Sequence, residues 1–128
     1  MTPNQADIIA RARGLVGAPF RLHGRDPATG LDCVGLCARS FDVTAGVPTG
    51  YPLKGGDANL YASLIGTFAV RHGGSMRPAD VLLIRMGALQ IHMGIWTGDS
   101  LIHAHAGLRK VVETPRAVTG DVLGMWGN

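Results

Sequence analysis

At 128 residues the chain is most simply one domain, 1–128, long enough to bury one core. Hydrophobic residues make up 46% and charged residues 16%, which excludes a disordered chain. A net charge of +3 with no run of Lys/Arg gives no stripe for nucleic acid, and no apolar stretch reaches the ~18 residues of a membrane span.

Thr2-Pro3 reads as an N-cap with proline at the first helical position, and Ile8, Ile9, Ala12 and Leu15 follow at helical spacing. This predicts a helix from 3 to about 15, closed by Gly14 or Gly17. No basic segment followed by an apolar run opens the chain, so we expect no signal peptide and synthesis in the cytoplasm, with some other agent carrying it to any site outside. From Val16 to Leu31, Gly17, Pro19, Gly24, Pro27 and Gly30 are too many breakers for regular structure.

Asp32 then stands as an N-cap before a second helix expected from Cys33 to about Ala45, with Val34, Leu36, Cys37 and Phe41 on its apolar side and Gly46 and Pro48 ending it. A thiol in a first helical turn meets free N–H groups and the positive end of the macrodipole, which favour a thiolate. A Cys33–Cys37 disulfide across four residues of one helix would be strained, so both are read as reduced, with Cys37 in the core. Residues 46–56 form a turn-rich loop around Tyr51, and Asp57 caps a shorter helix through Leu60, Tyr61, Leu64 and Ile65.

Past Gly73-Gly74 the pattern changes. Val81-Leu82-Leu83-Ile84 is a continuous apolar run, 91–97 and 101–106 alternate, and Val111-Val112 and Val122-Leu123 are shorter pieces. Helices first and four or five antiparallel strands afterwards indicate an α+β fold. Alternation puts His92, Gly94 and Trp96 on one face of a strand, and His103 and His105 on one face of the next. With Gly98-Asp99 at the centre of a two-residue hairpin turn, His92 falls opposite His105 and Gly94 opposite His103. Glycine there leaves room for a ring to lean over.

A helix-start cysteine needs an imidazole to take its proton, and a third polar group to hold that imidazole. Cys33 is the candidate nucleophile and His92 the candidate base. Either His103 or His105 can orient His92; spacing does not choose between them. The rival class is zinc binding by Cys33, Cys37, His92, His103 and His105, with neither CxxC nor HExxH present to support it.

Gly30-Leu31-Asp32-Cys33-Val34-Gly35-Leu36 resembles the nucleophile motif of the NlpC-type cell-wall peptidases, which are papain-like. His92-Met93-Gly94-Ile95-Trp96 resembles their histidine strand, and Leu101-Ile102-His103-Ala104 the strand bearing the third residue. Gly17-Ala18-Pro19-Phe20 and Arg77-Pro78-Ala79-Asp80-Val81-Leu82 add to a resemblance that runs in the family's order over residues 8 to 126. It implies a papain-like core, with the cysteine helix packed on an antiparallel sheet. It implies a catalytic set of Cys33, His92 and His103, with His105 as the alternative orienter. The implied reaction is hydrolysis of peptide bonds in peptidoglycan stem peptides, with no cofactor and no metal.

With neither a signal peptide nor a wall-binding module expected, the chain looks like the short phage-tail and gene-transfer-agent members, which reach the wall on a particle. A structural tail protein of the same fold with little activity is the alternative. Phe20 stands where many members carry tyrosine, the segment 21–25 is one residue longer than the family's version, and the hairpin between His92 and His103 is one residue shorter. Phe20, His23 and Trp96 are candidates for the substrate cleft, packing being the other role for Trp96; His72 is read as a surface residue.

Overall fold

The computed structural model describes residues 1–52, 57–87, 90–115 and 120–128. Among these residues, three helices precede most of the sheet: α1 (Pro3–Gly14), α2 (Cys33–Ser40) and α3 (Ala58–Ile65). Two short strands, β1 (Arg25–Asp26) and β2 (Gly30–Leu31), pair with each other ahead of α2. Six antiparallel strands follow: β3 (Val70–His72), β4 (Val81–Gly87), β5 (Gln90–Trp96), β6 (Ser100–His105), β7 (Lys110–Pro115) and β8 (Asp121–Gly127), in the spatial order β3-β8-β4-β5-β6-β7.

The α1 start holds as expected and is reinforced. Thr2 Oγ1 accepts from the Gln5 N–H while the Gln5 side chain accepts from the Thr2 N–H, a reciprocal capping box. The second helix is shorter than expected, ending at Ser40 instead of near Ala45. Asp42 takes a left-handed conformation (φ +62°), its N–H bonds to the Arg39 carbonyl and the Val43 N–H to the Ala38 carbonyl. That is a Schellman closure made by aspartate in the place usually held by glycine, several residues before Gly46. Asp57 caps α3 through the Asn59 N–H. Of the loop expected over 46–56, residues 53–56 lie outside the described residues.

The unbroken apolar run in β4 has a reason in the layering. Val81 and Leu83 join the core between helices and sheet, with Ile8, Leu36, Ile65, Met93, Ile95 and Ile102. Leu82 and Ile84 point to the other side and pack with Leu101, Trp96 and Met125. A strand buried on both faces shows no alternation. The helix α2 packs on β5 and β6, which sets its first residue beside the two histidine strands.

Candidate active site

Asp32 is the hub from which the site is built. Its Oδ1 accepts from the Gly35 N–H at 2.8 Å and from Arg25 Nη1 at 3.0 Å. Its Oδ2 accepts from the His23 N–H at 2.9 Å and from the Tyr51 hydroxyl at 2.5 Å. Arg25 Nη2 reaches the Tyr51 hydroxyl and the Pro48 carbonyl. Four donors leave this buried carboxylate fully satisfied. The cap therefore also clamps the chain on both sides of α2. The loop sits so close that a Cβ on Gly35 would collide with the Gly24 carbonyl, so the helix start admits only glycine there.

Cys33, first residue of α2, is partly exposed and lines a pocket with Phe20, Tyr51, Ile91, His92 and His103. Burial and the Asp32 charge raise its thiol to about 12, while the N–H groups of Val34, Cys33 and Met93 act the other way. The helix terminus alone would have favoured a thiolate; here it is outweighed, and at neutral pH the group is a thiol. Cys37, one turn on, is fully buried.

The register of the β5–β6 hairpin is the one anticipated: Ile95 pairs with Ile102 and Trp96 with Leu101. Beyond that ladder the histidines meet through their side chains. His92 Nε2 lies 2.7 Å from His103 Nδ1, with the rings nearly perpendicular and 4.9 Å apart. The other nitrogen of His103, Nε2, is 3.0 Å from Thr114 Oγ1 on β7. His92 is lowered to about 4 by burial and by His103 and His105, and His103 to about 4 by burial and His105. Both are neutral at pH 7. His105 lies at the pocket wall, 5.7 Å from the His103 ring centre, and its Nδ1 accepts from the Leu108 N–H. The hydrogen bond to His92 thus belongs to His103.

Gly94 is needed for a reason other than room for a histidine. A Cβ there would lie 2.7 Å from the Ile102 carbonyl oxygen and 2.9 Å from the Leu101 side chain, so β5 and β6 approach too closely for any larger residue. Phe20 lines the pocket, delivered by a segment hydrogen-bonded to Val111 of β7 through Gly17 and Ala18 and to Arg109, just before β7, through the Phe20 N–H. His23 is a strut: its Nε2 bonds to the Tyr51 carbonyl at 2.6 Å and its ring packs edge-on against Tyr51. Trp96 shares a strand face with His92 but packs with Leu82, Ile84 and Leu101, away from the pocket lining. His72 is held by Asp80 at 2.9 Å and is only partly exposed. Thr114, Tyr51 and Arg25 are the contributors that spacing did not reveal. Thr114 lies two residues beyond Val112 on the same strand face, and extending that alternation would have found it.

Among the described residues, no three His, Cys, Asp or Glu side chains converge as metal ligands. Of the five zinc candidates, Cys37 is sealed in the core and His92 and His103 spend ring nitrogens on each other and on Thr114. The arrangement suits proton transfer from a thiol to a neutral imidazole held in place by a second one.

Sixteen chains of solved structures match this chain, among them the NlpC/p60 domain of the peptidoglycan hydrolase SagA. That likeness has a TM-score of 0.65 at 22% sequence identity and covers 97% of each chain. The fold is that of an NlpC/p60 domain. No protein-family model matches the chain, and no curated protein does. Within this NlpC/p60 fold, Cys33 begins the helix packed on the sheet, and His92 and His103 sit on adjacent strands facing one pocket. No helix among the described residues is long and apolar enough to cross a membrane.

Proposed function

We propose that residues 1–128 form one cysteine peptidase domain of the NlpC type, which hydrolyses peptide bonds in peptidoglycan stem peptides. The observation that carries this is the His92–His103 hydrogen bond beside Cys33 in one pocket. The peptidoglycan substrate is carried over from the SagA domain, whose fold this chain shares, and from the resemblance of the Cys33 and His92 motifs.

Cys33 is the nucleophile. His92 Nε2 is engaged with His103, so His92 Nδ1 is the nitrogen left to accept the thiol proton. As Sγ attacks the substrate carbonyl carbon, the proton passes to His92 and a tetrahedral oxyanion forms, with the Cys33 backbone N–H available to it. Collapse breaks the C–N bond; the amine departs with the proton from His92 and a thioester remains on Cys33. Water, deprotonated by His92, then releases the acid and restores the thiol. Because both partners are neutral at pH 7, the thiol is activated during attack and not stored as a thiolate.

Phe20 contributes an apolar wall where a hydroxyl is common in the family. The short phage-tail and gene-transfer-agent proteins it resembles make a tail particle its partner and its route to the wall. The alternative is a tail protein of the same fold with little activity. Digestion of purified muropeptides followed by mass spectrometry decides between them. New products with a stem peptide bond cleaved, absent with Cys33→Ala, are expected; intact muropeptides after prolonged incubation would favour the inactive reading.

A further inference from the structure

The catalytic reading leaves one polar group unused: the Thr114 hydroxyl, on β7, 3.0 Å from His103 Nε2. It lies at the far end of a line running from Cys33 through His92 and His103. We propose that Thr114 is a positioning residue, accepting the Nε2–H of His103 and so fixing which nitrogens of both histidines carry protons. This rests on the proposed role of His92 as the base.

The argument is one of hydrogen-bond polarity. Neutral imidazole has one donor nitrogen and one acceptor. His103 uses both nitrogens, Nδ1 toward His92 and Nε2 toward Thr114, so the two bonds cannot be set independently. If His103 Nε2–H donates to Thr114 Oγ1, then His103 Nδ1 is an acceptor. His92 must then donate through Nε2–H, and its Nδ1 carries a free lone pair for the thiol. If Thr114 donates instead, every role reverses: His103 Nδ1–H donates to His92 Nε2, and the proton on His92 sits on Nδ1. In that state His92 presents a donor to Cys33 and cannot take its proton.

A hydroxyl can play either part, but Thr114 is partly exposed, and its own O–H can go to solvent while the oxygen accepts. His103 is 8% exposed, and Thr114 is the partner its Nε2 has among the described residues. The oxygen is also held in register. Thr114 is paired with Leu101, two residues along from His103, whose own partner is Val112. Hence the β6–β7 ladder itself sets the distance. The other titratable residues lining the pocket are His105, Cys33, Asp32, Tyr51 and Tyr61, and none of them hydrogen-bonds to His103.

Two variants test this: Thr114→Val, which keeps the shape and removes the hydroxyl, and Thr114→Ser, which keeps the hydroxyl. Two-bond ¹H–¹⁵N correlations of the imidazoles near neutral pH report the tautomers directly and need no substrate. In the unaltered protein both His92 and His103 are expected as Nε2–H tautomers. Thr114→Val is expected to move both toward Nδ1–H, and Thr114→Ser to restore the original pattern. On muropeptides, Thr114→Val is expected to lower kcat about 10- to 100-fold with KM little changed, by analogy with other groups that orient a functional histidine, and Thr114→Ser to recover most of it. An Nδ1–H tautomer of His103 in the unaltered protein, or tautomers unmoved in Thr114→Val, overturns the proposal. Should the unaltered protein cleave nothing while the tautomers respond as expected, the peptidase reading falls and the role of Thr114 in fixing the histidines stands.

Discussion

Asp32 acts on Cys33 in two opposed ways: its carboxylate caps the helix that the cysteine begins, and its charge holds the thiol up. Asp32→Asn separates them, because asparagine is an equally good cap. The variant is expected to show a lower Cys33 pKa, read from thiolate absorbance on titration. It is also expected to lose about 3 kcal/mol of stability, since Arg25 is left half-buried without its counter-charge. The histidines give a second expectation at this scale. The folded state holds His92 and His103 near 4 against an ordinary 6.5, so on acidification the unfolded chain takes up protons first. Stability is full above about pH 6.5 and is lost as the pH falls toward 4, at up to about 1.4 kcal/mol per pH unit for each group. Urea midpoints measured across that window check it, and His103→Asn should flatten the slope.

At the scale of elements, what was legible in the sequence followed from local chemistry. Thr2-Pro3, Asp32 and Asp57 announce their helices because capping is decided within three residues. The Gly98-Asp99 turn fixes the β5–β6 register because a two-residue hairpin permits only one. The end of α2 was not legible: Asp42 enters the left-handed region through hydrogen bonds to Arg39 and Val43 to Ala38, with no glycine to mark it. Asp42→Gly should therefore stabilise the protein by about 0.5–1 kcal/mol in chemical denaturation, as left-handed strain is relieved. The strands β1, β2 and β3 escaped for another reason. They are two or three residues long, too short to carry a pattern of their own; β1 and β2 hold each other, and β3 is held by β8 far along the chain.

Across the whole molecule, the α+β order, the cysteine helix on the sheet and the meeting of His92 with His103 were all readable, because alternation and motif order survive folding unchanged. The packing of Trp96 away from the pocket, the strut role of His23 and the Asp32–Arg25–Tyr51 clamp were not. Each depends on how loops and layers close over one another, which no local spacing records. The central claim is that a thiol at one helix start, served by one imidazole, cleaves a peptide. The rate of muropeptide cleavage by the unaltered protein, by Cys33→Ala and by Cys37→Ala tests it most directly. Cys37→Ala should retain activity, whereas Cys33→Ala should lose it by at least about 10³-fold. Cleavage that survives in Cys33→Ala would contradict the account.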